Sequence, residues 1–323
     1  MIVEPLRRNA RLVAVRDLSH NVREFLIAPD GGATAWTPGA HIDVVVAVES
    51  GEQTRSYSLV GEAAGAYRIA VKREDGGRGG SRAMHGLAPG AMVKVSEPKN
   101  AFALDYARPA YLLVAGGIGA TPILGQALAL ARHGADVRVA IAVRTRADLL
   151  FDDEFDAALG TRCERYVSSE GRRIDPAAAI SRLADGGELY ICGPLSLLEA
   201  FRRAWAEAGR PPHLFRTETF GSGGAHASEP FRVRLPALDR TIDVPADRTM
   251  LDALEAAGVE IMSDCRRGEC GLCAVDVLEA SAPIDHRDVY LSDEERRSNA
   301  RLCACVSRAR GGEIAIDTGY RPD

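Results

Sequence analysis

Cys265, Cys270 and Cys273 stand as C-x4-C-x2-C in the string CRRGECGLC, and Cys303 and Cys305 follow in RLCACVSR. That spacing is the one that holds a 2Fe–2S cluster. Two irons need four thiolates converging on one small volume, and here three come from a single irregular loop. Gly268 and Gly271 allow its backbone to fold closely around the sulfurs. The N–H groups freed in this way can bond to the sulfurs and set the potential. Zinc prefers paired C-x2-C knuckles or mixed Cys and His ligands. A disulfide framework suits short secreted chains, whereas this one has 323 residues and an odd seven cysteines. For the fourth ligand, strand alternation points Cys303 and Cys305 to the same face, so periodicity does not choose between them. Cys163 and Cys192 lie outside the constellation and, taken alone, read as small buried hydrophobes.

Two glycine turns carry a second kind of chemistry. GGIGATP, residues 116–122, lies between an apolar run and an Ala/Leu helix pattern. A dinucleotide pyrophosphate rests on helix N–H groups at such a turn, so Gly116, Gly117, Gly119, Thr121 and Pro122 are candidates. CGP, with Cys192, Gly193 and Pro194, ends another apolar run, and two such turns on one sheet would flank a ligand crevice. Ordinary strand–helix turns are the competing reading. Arg55, Ser56, Tyr57 and Ser58 lie on a predicted strand. Arg can pair with phosphate, the hydroxyls can bond to polar ring atoms, and Tyr57 can pack on a flat ring. GGRGGS, ending at Gly80 and Ser81, supplies a glycine nest ahead of a short helix pattern, with a flexible hairpin loop as its alternative. Lys72 belongs to the same pocket or to a solvated face. Arg144, in Arg144–Thr145–Arg146, could grip a 2′-phosphate or the adenosine ribose and diphosphate.

The elements that must position these residues fall into three segments. Residues 1–105 read as short strands rich in β-branched residues, punctuated by PG, GG and PD turns, which predicts a closed six-stranded antiparallel barrel. Residues 106–225 change period. YLLVAGG, VRVAIAVR and GELYICGP read as strands, and ATPILGQALALARHG, FDDEFDAAL and LLEAFRRAWAEAG as helices, which predicts a parallel α/β sheet covered on both faces. A small, polar, Gly-rich linker over residues 221–229 precedes the third segment, 226–323. There FRVRLPALDRTIDVP alternates like a hairpin, Asp247 and Thr249 are candidate caps for a helix through MLDALEAAG, and Gly258 is its stop. Hairpin, helix and Cys loop in that order fit a β-grasp fold of the ferredoxin type.

Hydrophobic residues make up 46% and charged residues 26% of the chain, ordinary for a globular protein of two or three domains. No apolar run approaches the ~20 residues that span a bilayer, and no secretory signal opens the chain, so a cytoplasmic protein is expected. Residues 231–323 hold 13 Lys+Arg against 18 Asp+Glu, so the whole net charge of −5 sits with the cysteines. An acidic patch there would steer a basic redox partner. No basic run suggests nucleic acid, and a monomer is expected.

RSYSLV, AVKREDGGRGGS, GGIGATP, CGP and CRRGECGLC with CVSRA, in that order, resemble phthalate dioxygenase reductase-like proteins. These are also called class IA oxygenase reductases and include vanillate O-demethylase reductases. The resemblance covers essentially the whole chain. It implies an FMN-binding barrel, an NAD-binding α/β domain and a plant-type ferredoxin domain. It also implies that Arg55, Ser56, Tyr57, Ser58, Lys72, Gly80 and Ser81 hold FMN and that Gly117, Thr121 and Cys192 border the nicotinamide. TETFG resembles the segment closing the NAD domain, placing Glu218 and Phe220 near the flavin. The tail CVSRARGGEIAID resembles ferredoxin ends in which the ligand begins a C-V-x-x string, which favours Cys305; Cys303 is a departure from the family pattern. FMN over FAD, and NADH over NADPH, rest on the resemblance.

NADH delivers two electrons as hydride and a 2Fe–2S cluster accepts one at a time, so a flavin belongs between them. The implied order is NADH, flavin, cluster and an external acceptor, with no general-acid triad. The family mostly serves terminal oxygenases with a Rieske centre and non-haem iron, acting on aromatic acids or methoxyarenes. A haem-thiolate monooxygenase is an alternative partner, a general NADH-dependent diaphorase another enzyme reading, and an electron-carrier or redox-sensing module the non-enzyme one.

Overall fold

The computed structural model describes residues 7–48, 51–61, 65–220, 226 and 228–321. Most of the expected linker, residues 221–225 and 227, lies outside them. Two compact units result: Met1–Asp75 with Gly80–Glu218, and Gly76–Gly79 with Thr219–Asp323.

The first unit opens with six strands: β1 (Arg7–Ser19), β2 (Val22–Pro29), β3 (His41–Val48), β4 (Gly51–Ser58), β5 (Tyr67–Lys72) and β6 (Met92–Ser96). They form one antiparallel sheet in the order β4-β3-β6-β1-β2-β5. A bridge between Leu59 and Ile69, with Val60 N–H donating to Arg68 O at 2.8 Å, brings the two edges together into a barrel. β1 can pair with both β2 and β6 because it bends, with register shifts at Leu12/Ala14 and Asp17/Ser19. Inward residues such as Phe25, Ile27, Ile42 and Ile69 are fully buried, each worth about 1.5–3 kcal/mol. The short helix α1 (Gly80–His85) drops Met84 into the same core.

The chain then builds five parallel strands: β7 (Tyr111–Gly116), β8 (Val137–Val143), β9 (Cys163–Val167), β10 (Glu188–Cys192) and β11 (Phe215–Glu218), ordered β11-β10-β7-β8-β9. Helices α2 (Ala120–Arg132), α3 (Asp152–Leu159), α4 (Pro176–Ser181) and α5 (Leu195–Glu207) complete it. β7 leads to β8 on one side, and the chain later returns to β10 on the other, so the strand order reverses between β7 and β10. Ligands of open α/β sheets bind beyond the strand ends at that reversal. Sequence reading finds three of the five strands. The two it misses are the sheet edges, CERYV and FRTE, whose polar residues leave no continuous apolar run.

Within this unit Arg68 ties barrel to sheet. Its guanidinium donates to Glu24 Oε2 at 2.6 Å and to both Glu154 oxygens at 2.9 and 2.7 Å, over the Phe151 ring. Phe102 O makes a second tie, accepting from Gln126 of α2 at 2.7 Å and packed so closely on Gly39, at φ +91°, that a Cβ there would fall 2.2 Å away.

In the second unit, β12 (Phe231–Leu235) and β13 (Arg240–Val244) make the expected hairpin. Then come α6 (Met250–Ala256), β14 (Ala274–Ala280), β15 (Ile284–Asp285), α7 (Asp293–Ser298), β16 (Arg301–Cys303), β17 (Arg308–Ala309) and β18 (Glu313–Asp317). The main sheet runs β13-β12-β18-β14-β16, with α6 against it in a β-grasp arrangement. Thr249 caps α6 through a reciprocal box with Asp252, so of the two candidate caps the threonine does the work. Gly258 sits just past the helix end at φ +76°.

Candidate functional site

In the first unit the two glycine turns pack on each other. A Cβ on Gly116 would lie 2.5 Å from Pro194 Cδ and 3.1 Å from Gly193 Cα, and one on Gly119 would lie 2.1 Å from Cys192 O. Gly116 and Gly119 are therefore small so that the ends of β7 and β10 can touch. Gly117 is different: it adopts φ +54° and a Cβ there meets nothing within 4 Å. Open space at the strand-order reversal, ahead of the 13-residue helix α2, is where a pyrophosphate would seat. The Thr121 hydroxyl, buried, donates to Ile118 O at 2.9 Å and fixes the turn. Pro122 is tolerated in the first turn of α2, where its missing N–H has no partner to lose.

Cys192 ends β10, fully buried and in register with Glu218 at the end of β11. Ser58 ends β4, and its hydroxyl reaches Glu218 Oε2 at 3.4 Å. A barrel strand and two sheet strands thus deliver Ser58, Cys192 and Glu218 to one buried place. Along β4, Arg55 and Tyr57 share a face by alternation, and Tyr57 packs against the barrel core. Arg55 lies on Gly80: a Cβ there would fall 2.5 Å from Arg55 Nε, so only glycine lets the guanidinium lie across the start of α1. Lys72 Nζ sits 3.0 Å from Glu74 Oε1, whose own backbone N–H donates to Ser81 Oγ at 3.0 Å.

In the second unit the cysteine loop curls around Cys265 Sγ, which accepts backbone N–H bonds from Arg267, Glu269 and Cys270, each at 3.4 Å. Gly268 and Gly271 adopt φ +78° and +74°, the left-handed turns that aim those amides inward. Cys273 receives hydrogen bonds from the Cys303 and Cys305 thiols, which lower its own thiol from the ordinary range. Cys305 also accepts the Gly268 N–H and has Cys265 among its neighbours, whereas Cys303 has Asp288 and Cys305 among its own. Backbone donors already aimed at a cysteine sulfur of this loop suit an iron–sulfur cluster.

Residues 235–310 match the family model described as a 2Fe-2S iron-sulfur cluster binding domain, and residues 9–104 the oxidoreductase FAD-binding domain. The heme-dependent oxidative N-demethylase beta subunit of Ectopseudomonas mendocina is 36% identical over 313 residues, covering 96% of this chain and 98% of that one. Vanillate O-demethylase oxidoreductase of a Pseudomonas species is 32% identical, with 98% and 100% covered. The solved structure of phthalate dioxygenase reductase superposes with a TM-score of 0.77 at 29% identity, covering 96% and 98%. The chain belongs to the phthalate dioxygenase reductase-like family.

This oxygenase reductase is an oxidoreductase with a flavin-binding domain and a 2Fe–2S domain, a reductase subunit of the kind found in oxygenase systems. No helix among its described residues is long and apolar enough to cross a membrane. Not every candidate side chain joins the clusters above. Ser56 points to the opposite face of β4 from Arg55 and donates to Asp43 Oδ1 at 2.6 Å, leaving its backbone as what it can offer a ligand. Arg144 is exposed past the end of β8. Its neighbour Arg146 is held by Glu170 through two bonds, at 2.6 and 2.9 Å, and Thr145 caps a short turn with Asp148. Phe220 is half-buried two residues beyond Glu218. Burial pushes the Cys163 thiol up to about 12, as suits a packing residue.

Sequence reading missed Thr219 and Glu269. Thr219 N–H donates to Glu269 Oε1 at 2.6 Å and its hydroxyl donates to Arg267 O at 3.1 Å, pinning the cysteine loop from both sides. Burial raises the Glu269 carboxyl despite the Arg267 charge. No spacing rule joins a threonine to a glutamate 50 residues on; only the TETFG string marked the segment.

Proposed function

We propose that this oxygenase reductase takes two electrons from NADH and passes them singly, through FMN and a 2Fe–2S cluster, to a terminal oxygenase. The acceptor in this reading carries a Rieske centre and non-haem iron and acts on an aromatic ring or a methoxyarene. When bound, the cofactors supply hydride acceptance and one-electron transfer. The protein's own residues position and tune. Arg55 and the start of α1 meet the phosphate end of FMN, a terminal dianion that a guanidinium pairs with well; Lys72 and Ser81 border the same loop. Ser58 and Glu218 hold the polar edge of the flavin ring, and Cys192 with Thr121 walls the nicotinamide without a covalent role. Gly117 leaves room for the pyrophosphate. Cys265, Cys270, Cys273 and Cys305 are the iron ligands.

The meeting of Ser58 with Glu218, 3.4 Å apart beside Cys192 at the strand-order reversal, carries the reading. Anaerobic NADH titration of the purified protein tests it. Flavin and cluster absorbance should bleach together, and the released flavin should run as FMN. Cys192→Ala should slow flavin bleaching in stopped flow while FMN stays bound; an unchanged rate counts against the nicotinamide placement. NADH is favoured over NADPH because Glu170 already occupies Arg146, so no pair of guanidiniums awaits a 2′-phosphate. A tenfold or larger preference in kcat/KM is expected, and a reversed preference sinks it. A haem-containing acceptor is the second reading, favoured by the name of the N-demethylase relative. Coupled turnover with candidate oxygenases of each type separates the two, and size-exclusion chromatography tests the expected monomer.

A further inference from the structure

We infer that the surface around the cysteine loop docks a protein electron acceptor whose contact face is apolar at its centre and ringed by Lys and Arg. The inference rests on the electron-transfer reading above and adds to it the chemistry of the partner's surface. Seven large apolar side chains are exposed among the described residues, and three lie within the cysteine segment or against it. Leu272, 46% exposed, stands between Cys270 and Cys273; Met262, 75% exposed, precedes Cys265 by three residues. Tyr290, 48% exposed, rests on the loop itself, for a Cβ on Gly271 would fall 2.2 Å from Tyr290 Cζ. Singly scattered apolar residues are ordinary, but a concentration beside the thiols where electrons must leave is not. An exposed tyrosine held in place by its contact with a glycine is the kind of residue that dominates interface energetics.

The rim is acidic. Glu260 and Asp264 flank Met262, and Glu294 stands in the first turn of α7, four residues after Tyr290. All three are exposed, and none has an ion pair among the described residues. The whole net charge of the chain lies in residues 231–323. An acceptor with an acidic face would be repelled, and one with a basic rim would be steered in.

Cytochrome c, a small basic haem protein, serves as the probe, and ferricyanide, which needs no docking, as the control. NADH-driven reduction of each is followed anaerobically with the holoprotein across ionic strength. Glu260→Gln/Asp264→Asn/Glu294→Gln should lower the second-order rate constant for cytochrome c about tenfold at low salt and flatten its salt dependence. Met262→Gln/Leu272→Gln should raise the half-saturating cytochrome c concentration about tenfold. Both variants should keep the wild-type visible spectrum and ferricyanide rate, which shows that they fold and load their cofactors. Wild-type kinetics with cytochrome c in both variants, with ferricyanide reduction intact, overturns the docking surface. Absence of ferricyanide reduction in the wild type brings down the electron-transfer reading and the docking surface with it.

Discussion

Gly117 and Gly119 stand two residues apart in one turn and are glycine for opposite reasons, so their alanine variants should fail differently. Gly119 has φ −59° and ψ −10°, a backbone any residue adopts, so its constraint is space. The added carbon would lie 2.1 Å from Cys192 O, 2.6 Å from its carbonyl carbon and 3.1 Å from Gly193 N. All three are backbone atoms, so no side chain can rotate away; α2 must retreat or the end of β10 must shift. Overpacking costs about 1–3 kcal/mol, and a rigid backbone neighbour puts Gly119→Ala near about 3 kcal/mol. For a unit of this size that lowers Tm by about 6–12 °C. Gly117 faces open space at φ +54°. Gly117→Ala has only the left-handed backbone to bear, roughly 1–2 kcal/mol, but its methyl enters the space proposed for the pyrophosphate. Its KM for NADH should rise about tenfold or more, a loss of about 1.4 kcal/mol of binding. Thermal melts and NADH kinetics with ferricyanide read the two effects separately. A Gly119→Ala protein melting within about 2 °C of wild type would refute the packing of the two turns. An unchanged NADH KM in Gly117→Ala would refute the seating of the nucleotide.

Cys305→Ser should abolish the visible absorbance of the cluster, while Cys303→Ser should largely keep it; the reverse pattern in iron-replete protein would exchange their roles. Arg68→Ala should cost about 3 kcal/mol or more in urea denaturation, because Glu24, 6% exposed, would keep only the exposed Arg16 at 3.0 Å. Arg68→Lys should recover only part of that loss, since an ammonium cannot reproduce the bidentate bond to Glu154. Asp43 is half a test of pH: burial pushes its carboxyl up, but hydrogen bonds from Ser56 and Lys99 and the Lys99 charge win and leave it lowered. A carboxyl lowered by folding stabilises the protein above its unfolded pKa, about 3.9, and that stability is lost as pH falls through the lowered value. Asp43→Asn should therefore be less stable than wild type at neutral pH, and the two denaturation curves should converge under strongly acidic conditions.

Much of the fold was legible because its signals are local. The short β-branched runs VREFLIAP and HIDVVVAV between turn signals, the buried run YLLVAG and the capped helix MLDALEA each state their own geometry within a few residues. β9 and β11 were not legible, since an edge strand buried on fewer sides tolerates polar residues and loses its pattern. The cap of α6 went to Thr249 because a reciprocal box needs the residue three positions on to answer, and Asp252 does.

The same division runs through the site. The cysteine spacing and the two glycine turns suggest their chemistry unaided, because three candidate iron ligands share one loop and a candidate phosphate seat is one strand–helix junction. What surrounds the glycines was decided only in three dimensions: Gly116 and Gly119 make room for the CGP turn, and Gly117 alone of the three faces open space. Alternation could not choose between Cys303 and Cys305, which lie two residues apart; in three dimensions Cys305 is the one that accepts the Gly268 N–H. Nor could any local rule bring Ser58 to Glu218, 160 residues away. Contacts between distant strands are fixed by sheet order and packing, and the chain encodes those through its whole core rather than through any one motif.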